Sequence, residues 1–235
     1  MRKRSVHQVT RGWHQGWWQG ARAVPSPNVD TRPSGTDIDL VVLHSISLPP
    51  GEYGGDDVQA LFTNRLNFDA HAYFDALRGM LVSAHFFVRR DGAIVQFAAC
   101  DARAWHAGRS SWQGRERCND YAIGIELEGL ENTPFERAQY AALAVLLRAV
   151  RSVYPIAAVV GHEHVAPDRK HDPGDAFDWW RVKALTRWPR RLFAHALDAA
   201  AARLAGASDT VGSTRVMQHV ETLPVVSCKL NEHQI

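Results

Sequence analysis

The segment 161–174 reads GHEHVAPDRKHDPG and concentrates side chains that can bind a metal ion. A further histidine, His44, ends an apolar run far upstream. Two imidazoles and one carboxylate can hold a catalytic zinc with three protein ligands and one open position, whereas structural zinc sites usually have four ligands and are rich in cysteine. These residue types therefore indicate hydrolysis by a metal-activated water. A plainer alternative stays open, with His44 and His162 as loop-edge histidines and Asp172 in a turn.

Short strands must position these side chains. The apolar run 38–44 has the length of a strand, and residues 157–161 form another that leads into His162. A residue at the end of a strand faces a cleft while its backbone stays fixed, which suits a metal ligand. Side chains alternate between the two faces of a strand. A third strand therefore carries apolar residues on one face and two carboxylates on the other: Ile123, Ile125 and Leu127 opposite Gly124, Glu126 and Glu128.

Helices are predicted between the strands. Apolar residues follow helical spacing after Asp57, and Asp178 can cap a helix over 179–185. Thr133 and Glu136 form a capping box with Pro134 at the first helical position, and the buried stripe follows: Leu143, Leu146, Leu147, Val150 and Tyr154.

Turns and loops separate these elements. Asp91-Gly92 favours a tight hairpin turn, whereas residues 67–81 and 101–120 are predicted loops. Strands interspersed with helices predict a single α/β domain with a mixed central sheet flanked by helices.

Five motifs occur in the order found in AmpD-type amidases: HSISLPPGEYGG (44–55), VSAHF (82–86), AWHAG (104–108), QGRERCND (113–120) and GIELEG (124–129). Over roughly residues 20–185 the chain resembles this family of cytoplasmic 1,6-anhydro-N-acetylmuramyl-L-alanine amidases. The family belongs to the wider zinc amidases related to peptidoglycan-recognition proteins. The resemblance implies the fold of these amidases and peptidoglycan-recognition proteins, a Zn²⁺ cofactor and a small muropeptide substrate. It also implies cleavage of the amide between the lactyl group of anhydro-muramic acid and L-alanine.

The resemblance also implies roles for individual residues. His44, His162 and Asp172 would be the zinc ligands, Glu126 the general base and Lys170 the cation that stabilises the oxyanion. Lys170 lies two residues before Asp172, so in extended backbone the two side chains would face the same side. Lys170 could instead be a surface lysine.

Several neighbours compete for these roles. Without the resemblance, the residues do not decide between Glu126 and Glu128 as the base. His164 and His171 lie so close to the expected ligands that a modest loop shift could present either one to the metal. A further pair, His85 and His106, suits the cleft wall or hydrogen bonds to the ligands better than direct coordination.

Substrate contacts are less marked in the sequence. The fork of Arg117 suits a stem-peptide carboxylate, although a solvated loop arginine is the alternative. Three positions depart from the family pattern: Ser45 where members usually have Asn, Leu81 where Arg is usual, and His164 where Asp is common. They bear on affinity and substrate choice more than on the type of reaction.

Composition limits the other classes of function. The chain has 235 residues, 46% of them hydrophobic, which suits one substantial core. Its net charge of +2 is too mild to indicate nucleic acid as a partner. No window approaches the roughly 20 apolar residues that span a bilayer, so a membrane partner is not predicted. No feature of the sequence indicates an oligomeric state.

The three cysteines have no Cys-x-x-Cys spacing, which predicts a reducing compartment. The N-terminus lacks the apolar stretch of a signal peptide, so we expect a cytoplasmic protein. The domain prediction has four parts: an N-terminal extension (1–19), a zinc amidase domain (20–187), an additional helix (188–205) and a disordered C-terminal tail (206–235).

Two alternative functions remain. A non-catalytic peptidoglycan-binding module would lack zinc ligands, and a lytic amidase acting on intact cell walls would need export or a wall-binding repeat. The sequence retains Asp172 and Lys170, which argues against the binding module, and it shows neither an export signal nor a wall-binding repeat.

Overall fold

The computed structural model describes residues 12–210, with side chains through residue 205. Its strands are β1 (Trp13–His14), β2 (Trp17–Trp18), β3 (Arg22–Ala23), β4 (Val29–Thr31), β5 (Leu40–Ile46), β6 (Phe86–Val88), β7 (Ile94–Gln96), β8 (Ala102–Ala104), β9 (Ser111–Trp112), β10 (Arg115–Glu116), β11 (Ala122–Glu128) and β12 (Ala158–Gly161). Its α-helices are α1 (Asp57–Phe62), α2 (Arg137–Arg151), α3 (His162–Val165), α4 (Trp179–Thr186) and α5 (Ala194–Thr210).

A six-stranded mixed sheet forms the centre, in the order β12-β5-β11-β6-β7-β3. The four strands β12, β5, β11 and β6 are parallel, whereas β7 pairs antiparallel with β6 through the predicted hairpin turn. The register places Glu126 beside His44, and Gly161 beside Leu43. Because parallel strands end at the same edge of a sheet, His44, Glu126 and the residue after Gly161 meet at one edge.

The alternation predicted for β11 is confirmed. Ile123, Ile125 and Leu127 are fully buried in the main core, together with Val41 and Leu43 of β5. Residues of the opposite face, such as Leu40 and Ala122, pack in a separate cluster beneath the 102–121 region. Since side chains alternate along a strand, His44 and Glu126 share this second face.

Helix α2 packs the predicted stripe into the main core, but it begins later than the capping box predicted. The first helical residue is Arg137, and the Glu136 N–H donates to Gln139 Oε1 at 2.9 Å. The phenyl ring of Phe135 is buried in the core, and the helix starts beyond it. Helix α4 is capped by Asp178 as predicted, with Oδ1 accepting from the Arg181 N–H at 2.9 Å.

Both predicted loops contain local structure. Two 3-10 helices, Phe68–Ala70 and Ala72–Leu77, occupy the first, because Phe74 and Leu77 are buried with α1 in a third apolar cluster. The second loop holds β8, the β9–β10 hairpin and a 3-10 helix, Cys118–Asp120. Apolar residues that are too few to show a helical period can still form a short helical turn when their side chains are buried in a core.

The terminal segments pack on the domain where the structure describes them. Trp13 is only 6% exposed and lies edge-on to Phe86 and Tyr154. The additional helix is α5, which begins at Ala194 after a 3-10 helix, Arg190–Phe193, and continues to Thr210. Residues 1–11 and 211–235 lie outside the described residues, and with them most of the predicted tail. Among residues 12–210, no helix is long and apolar enough to cross a membrane.

Candidate metal centre

Three atoms converge at the carboxyl edge of the sheet. His44 Nδ1 lies 3.0 Å from His162 Nδ1, and Asp172 Oδ2 lies 3.1 Å from both nitrogens. His44 ends the buried part of β5, His162 opens α3 directly after β12, and Asp172 returns in the loop that follows. The three residues are nearly buried, with exposed fractions of 1%, 3% and 8%.

The far nitrogens of the two imidazoles are held by fixed partners. His162 Nε2 lies 3.1 Å from the Ala107 carbonyl oxygen, which can only accept, so Nε2 carries the proton and Nδ1 keeps its lone pair. His44 Nε2 lies 3.0 Å from His106 Nδ1 and can donate to it in the same way. Both Nδ1 atoms then present lone pairs to the Asp172 carboxylate. Three acceptors so close together repel one another unless a cation lies among them.

Burial and neighbouring groups shift the pKa of His44 and of Asp172. Burial and then the neighbouring His162 lower the pKa of His44, Asp172 opposes them, and the net result is a pKa of about 4. Burial alone would raise the pKa of Asp172, but His162 and His44, when either carries a proton on Nδ1, outweigh it and hold that pKa well below its usual value. Neutral imidazoles and an ionised carboxylate are the forms that bind metal ions.

The cluster therefore fits a metal ion. Within the part of the chain that the structure describes, it is the one group of three histidine, cysteine or acidic residues whose ligand atoms lie within 4.8 Å of one another. Ligands bound at ~2.0–2.1 Å stand about 3.4 Å apart in a regular tetrahedron, close to the spacing found here. His164 and His171 lie outside the cluster: His164 Nδ1 accepts from the Gly161 N–H at 2.8 Å, and His171 is exposed.

The two carboxylates of β11 differ in their partners. Glu128 accepts two backbone N–H groups, from Gly54 at 2.6 Å and from Arg90 at 2.9 Å. Glu126 Oε2 is buried without a hydrogen-bond partner among the described residues. Burial, and then the charge of Asp172, raise the pKa of Glu126 well above its usual value. Of these two carboxylates, only Glu126 has an oxygen that accepts no hydrogen bond from residues 12–210.

The other expected site residues lie around this centre. Lys170 is half-buried, and its positive charge acts to lower the pKa of Glu126, against the larger effects of burial and Asp172. Arg117 is exposed on the loop after β10, with Nε 3.3 Å from Asp120 Oδ2. Leu81 is 55% exposed, and Ser45 is half-buried on β5 next to His44.

Sequence reasoning missed the residues that hold the Ala107 carbonyl in place. Arg169 Nη2 donates to that oxygen at 2.6 Å, and Asn119 Oδ1 accepts from the Ala107 N–H at 2.8 Å. Backbone acceptors leave no mark in a sequence, and Arg169 beside Lys170 resembles an ordinary surface cation. His106 was expected to support a ligand or line the cleft, and its contact with His44 agrees with that expectation.

Gly124 of β11 makes room for His106. A Cβ at this position would lie 2.4 Å from His106 Cγ, inside a fully buried site. We predict that Gly124→Ala destabilises the fold by about 1–3 kcal/mol, the usual cost of overpacking a core, as measured by urea unfolding. Gly55→Ala is the control, because its nearest neighbour would be 3.8 Å away. Equal unfolding midpoints for the two variants would refute this account of Gly124.

Comparison with known proteins agrees with this geometry. The sequence matches the N-acetylmuramoyl-L-alanine amidase family over residues 34–175. The 1,6-anhydro-N-acetylmuramyl-L-alanine amidase AmpD of Escherichia coli (strain K12) is 53% identical over 173 residues, which make up 73% of this chain and 94% of that protein.

Two solved structures share the fold. A crystal structure of a selenomethionine derivative of AmpD matches with a TM-score of 0.72 and 52% identity, and covers 73% of this chain and 97% of its own. The solution structure of Citrobacter freundii AmpD matches with a TM-score of 0.55 and 52% identity, covering 74% and 95%. The predicted mixed sheet flanked by helices is thereby confirmed. As the motifs predicted, the chain belongs to the N-acetylmuramoyl-L-alanine amidase family and is an amide hydrolase.

Proposed function

We propose that this chain is a zinc-dependent amidase that cleaves the bond between the lactyl group of 1,6-anhydro-muramic acid and the first L-alanine of a stem peptide. The observation that carries the proposal is the convergence of His44, His162 and Asp172 beside a buried carboxyl group with an unpartnered oxygen. The name of the 53% identical relative, which the match covers almost completely, supports the choice of substrate.

Zinc is the metal we propose for the cluster. Two imidazoles and one carboxylate form a donor set typical of catalytic zinc, and no thiolate lies in the cluster to close the site. The chemistry supplied by bound zinc is Lewis acidity toward a carbonyl and a lower pKa for a water molecule. Asp172 and the two histidines would hold the ion at the sheet edge.

Glu126 and Lys170 would act on the amide. Glu126 takes a proton from the attacking water as the new C–O bond forms, and returns it to the nitrogen as the C–N bond breaks. A carboxyl group whose pKa is raised by burial is suited to hold that proton between the two steps. The Lys170 ammonium stabilises the negative charge that develops on the carbonyl oxygen. Arg117, exposed at the surface, would bind a stem-peptide carboxylate.

We place the reaction in the cytoplasm, on soluble muropeptides recovered from the cell wall. Cys100 and Cys118 are both free thiols in the structure, which suits a reducing compartment. The three intact ligand positions favour catalysis over a binding module.

The test is incubation of purified protein with an anhydro-muramyl tripeptide, with and without a chelator, and mass analysis of the products. We expect release of the intact tripeptide, loss of activity on chelation and recovery on adding zinc. A parallel incubation with intact cell-wall sacculi distinguishes the proposed function from the lytic alternative. Faster release of peptide from sacculi would overturn the proposed substrate, and binding without hydrolysis would identify a recognition module.

A further inference from the structure

Helix α5 lies beyond the residues that match the amidase family, yet it packs beside the metal centre. The family match ends at residue 175, and α5 begins at Ala194. Ala196 and Leu197 are fully buried in the main core with Val159 of β12, the strand that leads to His162. The helix is therefore built into the fold of this chain, although the family domain does not include it.

Residues 162–175 form the metal-binding segment, and the first contact of α5 with it is made by aromatic rings. His195 lies between two aromatic neighbours, with ring centroids 5.0 Å from His164 and 5.0 Å from Trp112, both edge-on. His164 belongs to α3, the short helix that His162 opens. The start of α5 thus rests against the helix that carries one of the three candidate ligands.

The second contact is ionic and lies about two helical turns further along α5. Arg203 Nη1 lies 3.2 Å from Glu163 Oε2, and Arg203 Nε lies 2.9 Å from Asp175 Oδ1. One guanidinium therefore joins two carboxylates from different parts of the metal-binding segment. The Glu163 side chain is 12% exposed and that of Asp175 is 70% exposed. Water weakens exposed ion pairs, so the Glu163 contact should contribute most.

These two carboxylates flank the candidate ligands. Glu163 follows His162 directly, and its N–H donates to the Asp172 carbonyl oxygen at 2.9 Å. Asp175 lies three residues after Asp172. Holding both carboxylates from one guanidinium restrains the two ends of the segment that supplies two of the three ligands. The guanidinium presents its donors in a rigid planar fork, so less side-chain entropy is lost per hydrogen bond than with the flexible ammonium of a lysine.

We propose that Arg203 is a positioning residue for the metal centre: by bridging Glu163 and Asp175, it lets the extra C-terminal helix hold His162 and Asp172 in their binding geometry. The metal part of this inference rests on the zinc site proposed above. Residues that orient metal ligands through hydrogen bonds typically change metal affinity 10–100-fold when they are removed. Because Arg203 contacts residues near the ligands and not the ligands themselves, we expect a loss of affinity near the lower end of this range.

The experiment compares Arg203→Ala with Arg190→Ala in the full chain. Arg190 forms an ion pair with Asp198 in the same C-terminal region, without touching the metal-binding segment. Zinc affinity is measured by competition with a chromophoric chelator. We expect Arg203→Ala to bind zinc about 10-fold more weakly, and Arg190→Ala to stay within about twofold of wild type. Equal affinities for all three proteins, or equal losses in both variants, would overturn the proposal.

A double-mutant cycle of Arg203→Ala with Glu163→Gln distinguishes a positioning role of Arg203 from a general loss of stability. If Arg203 acts through that carboxylate, Arg203→Ala should weaken zinc binding much less in the Glu163→Gln background than in wild type. An undiminished effect would show that Arg203 acts by another route.

Hydrogen exchange on the metal-free proteins tests the restraint without any metal. We expect the amides of residues 162–175 to exchange faster in Arg203→Ala than in wild type or in Arg190→Ala. Unchanged exchange there would overturn the restraint. If wild type binds no zinc, the zinc proposal fails, and this exchange result alone decides whether Arg203 holds the segment.

Discussion

Glu126→Gln is expected to lower turnover of an anhydro-muramyl peptide by about 10²-fold or more, the scale typical of a general acid–base group, while zinc content stays at the wild-type level. Glutamine keeps the size of the side chain but cannot take a proton from water and pass it to the leaving nitrogen. Zinc should remain, because Glu126 does not belong to the three-residue cluster. The measurements are turnover by product mass and zinc by elemental analysis of the same sample.

The matched control is Glu128→Gln on the same strand. Glu128 accepts two backbone N–H groups, so its oxygens hold the loops at Gly54 and Arg90. We expect this variant to lose stability but to keep most of its turnover when activity is compared at equal zinc content and equal folded fraction. If Glu128→Gln abolishes turnover and Glu126→Gln leaves it nearly intact, the base has been assigned to the wrong carboxylate, although the amidase family would stand.

His162→Ala is expected to remove most of the bound zinc, and hydrolysis with it. Wild type should hold about one zinc per chain, because the described residues contain one suitable cluster. Without His162 the cluster keeps two ligands, too few for a catalytic zinc site that normally has three protein ligands. The buried Asp172 carboxylate would also lose one of the two imidazoles that lie 3.1 Å from it. Metal analysis after dialysis gives the result directly.

His164→Ala is the control, two residues away on the same short helix. The His164 ring accepts from the Gly161 N–H and packs against Trp179 and His195. We expect this variant to keep its zinc. Retained zinc in His162→Ala, with loss in His164→Ala or His171→Ala, would show that the wrong histidine was chosen.

Local patterns determined much of this protein in advance. The stripe of α2 and the alternation of β11 depend only on which residues recur every 3.6 or every 2 positions, a property of neighbours in the chain. The apolar run 38–44 predicted a strand that ends at His44, but β5 continues to Ile46 and His44 ends only its buried part. Strand β12 ends at Gly161, directly before His162, as predicted. The motifs around them then indicated the family and its chemistry.

The tertiary structure alone decided which of these side chains meet. His44 and His162 are 118 residues apart, and their contact depends on the parallel register of β12 and β11 against β5. Glu126 and Glu128 differ for the same reason: both lie on one face of one strand, and the distant N–H groups of Gly54 and Arg90 contact Glu128. No periodic pattern encodes such pairings, because they arise between segments that are remote in sequence.

Helix α5 shows the same division. Its alanine-rich sequence predicted a helix over residues 188–205, since alanine has the highest helix propensity, whereas α5 runs from Ala194 to Thr210. Its neighbours were not predicted. The ion pairs of Arg203 with Glu163 and Asp175 form only when the packed core brings the C-terminal helix against the metal-binding segment. The sequence by itself thus determined the elements and the chemical groups they carry, whereas long-range packing decided which groups share a site.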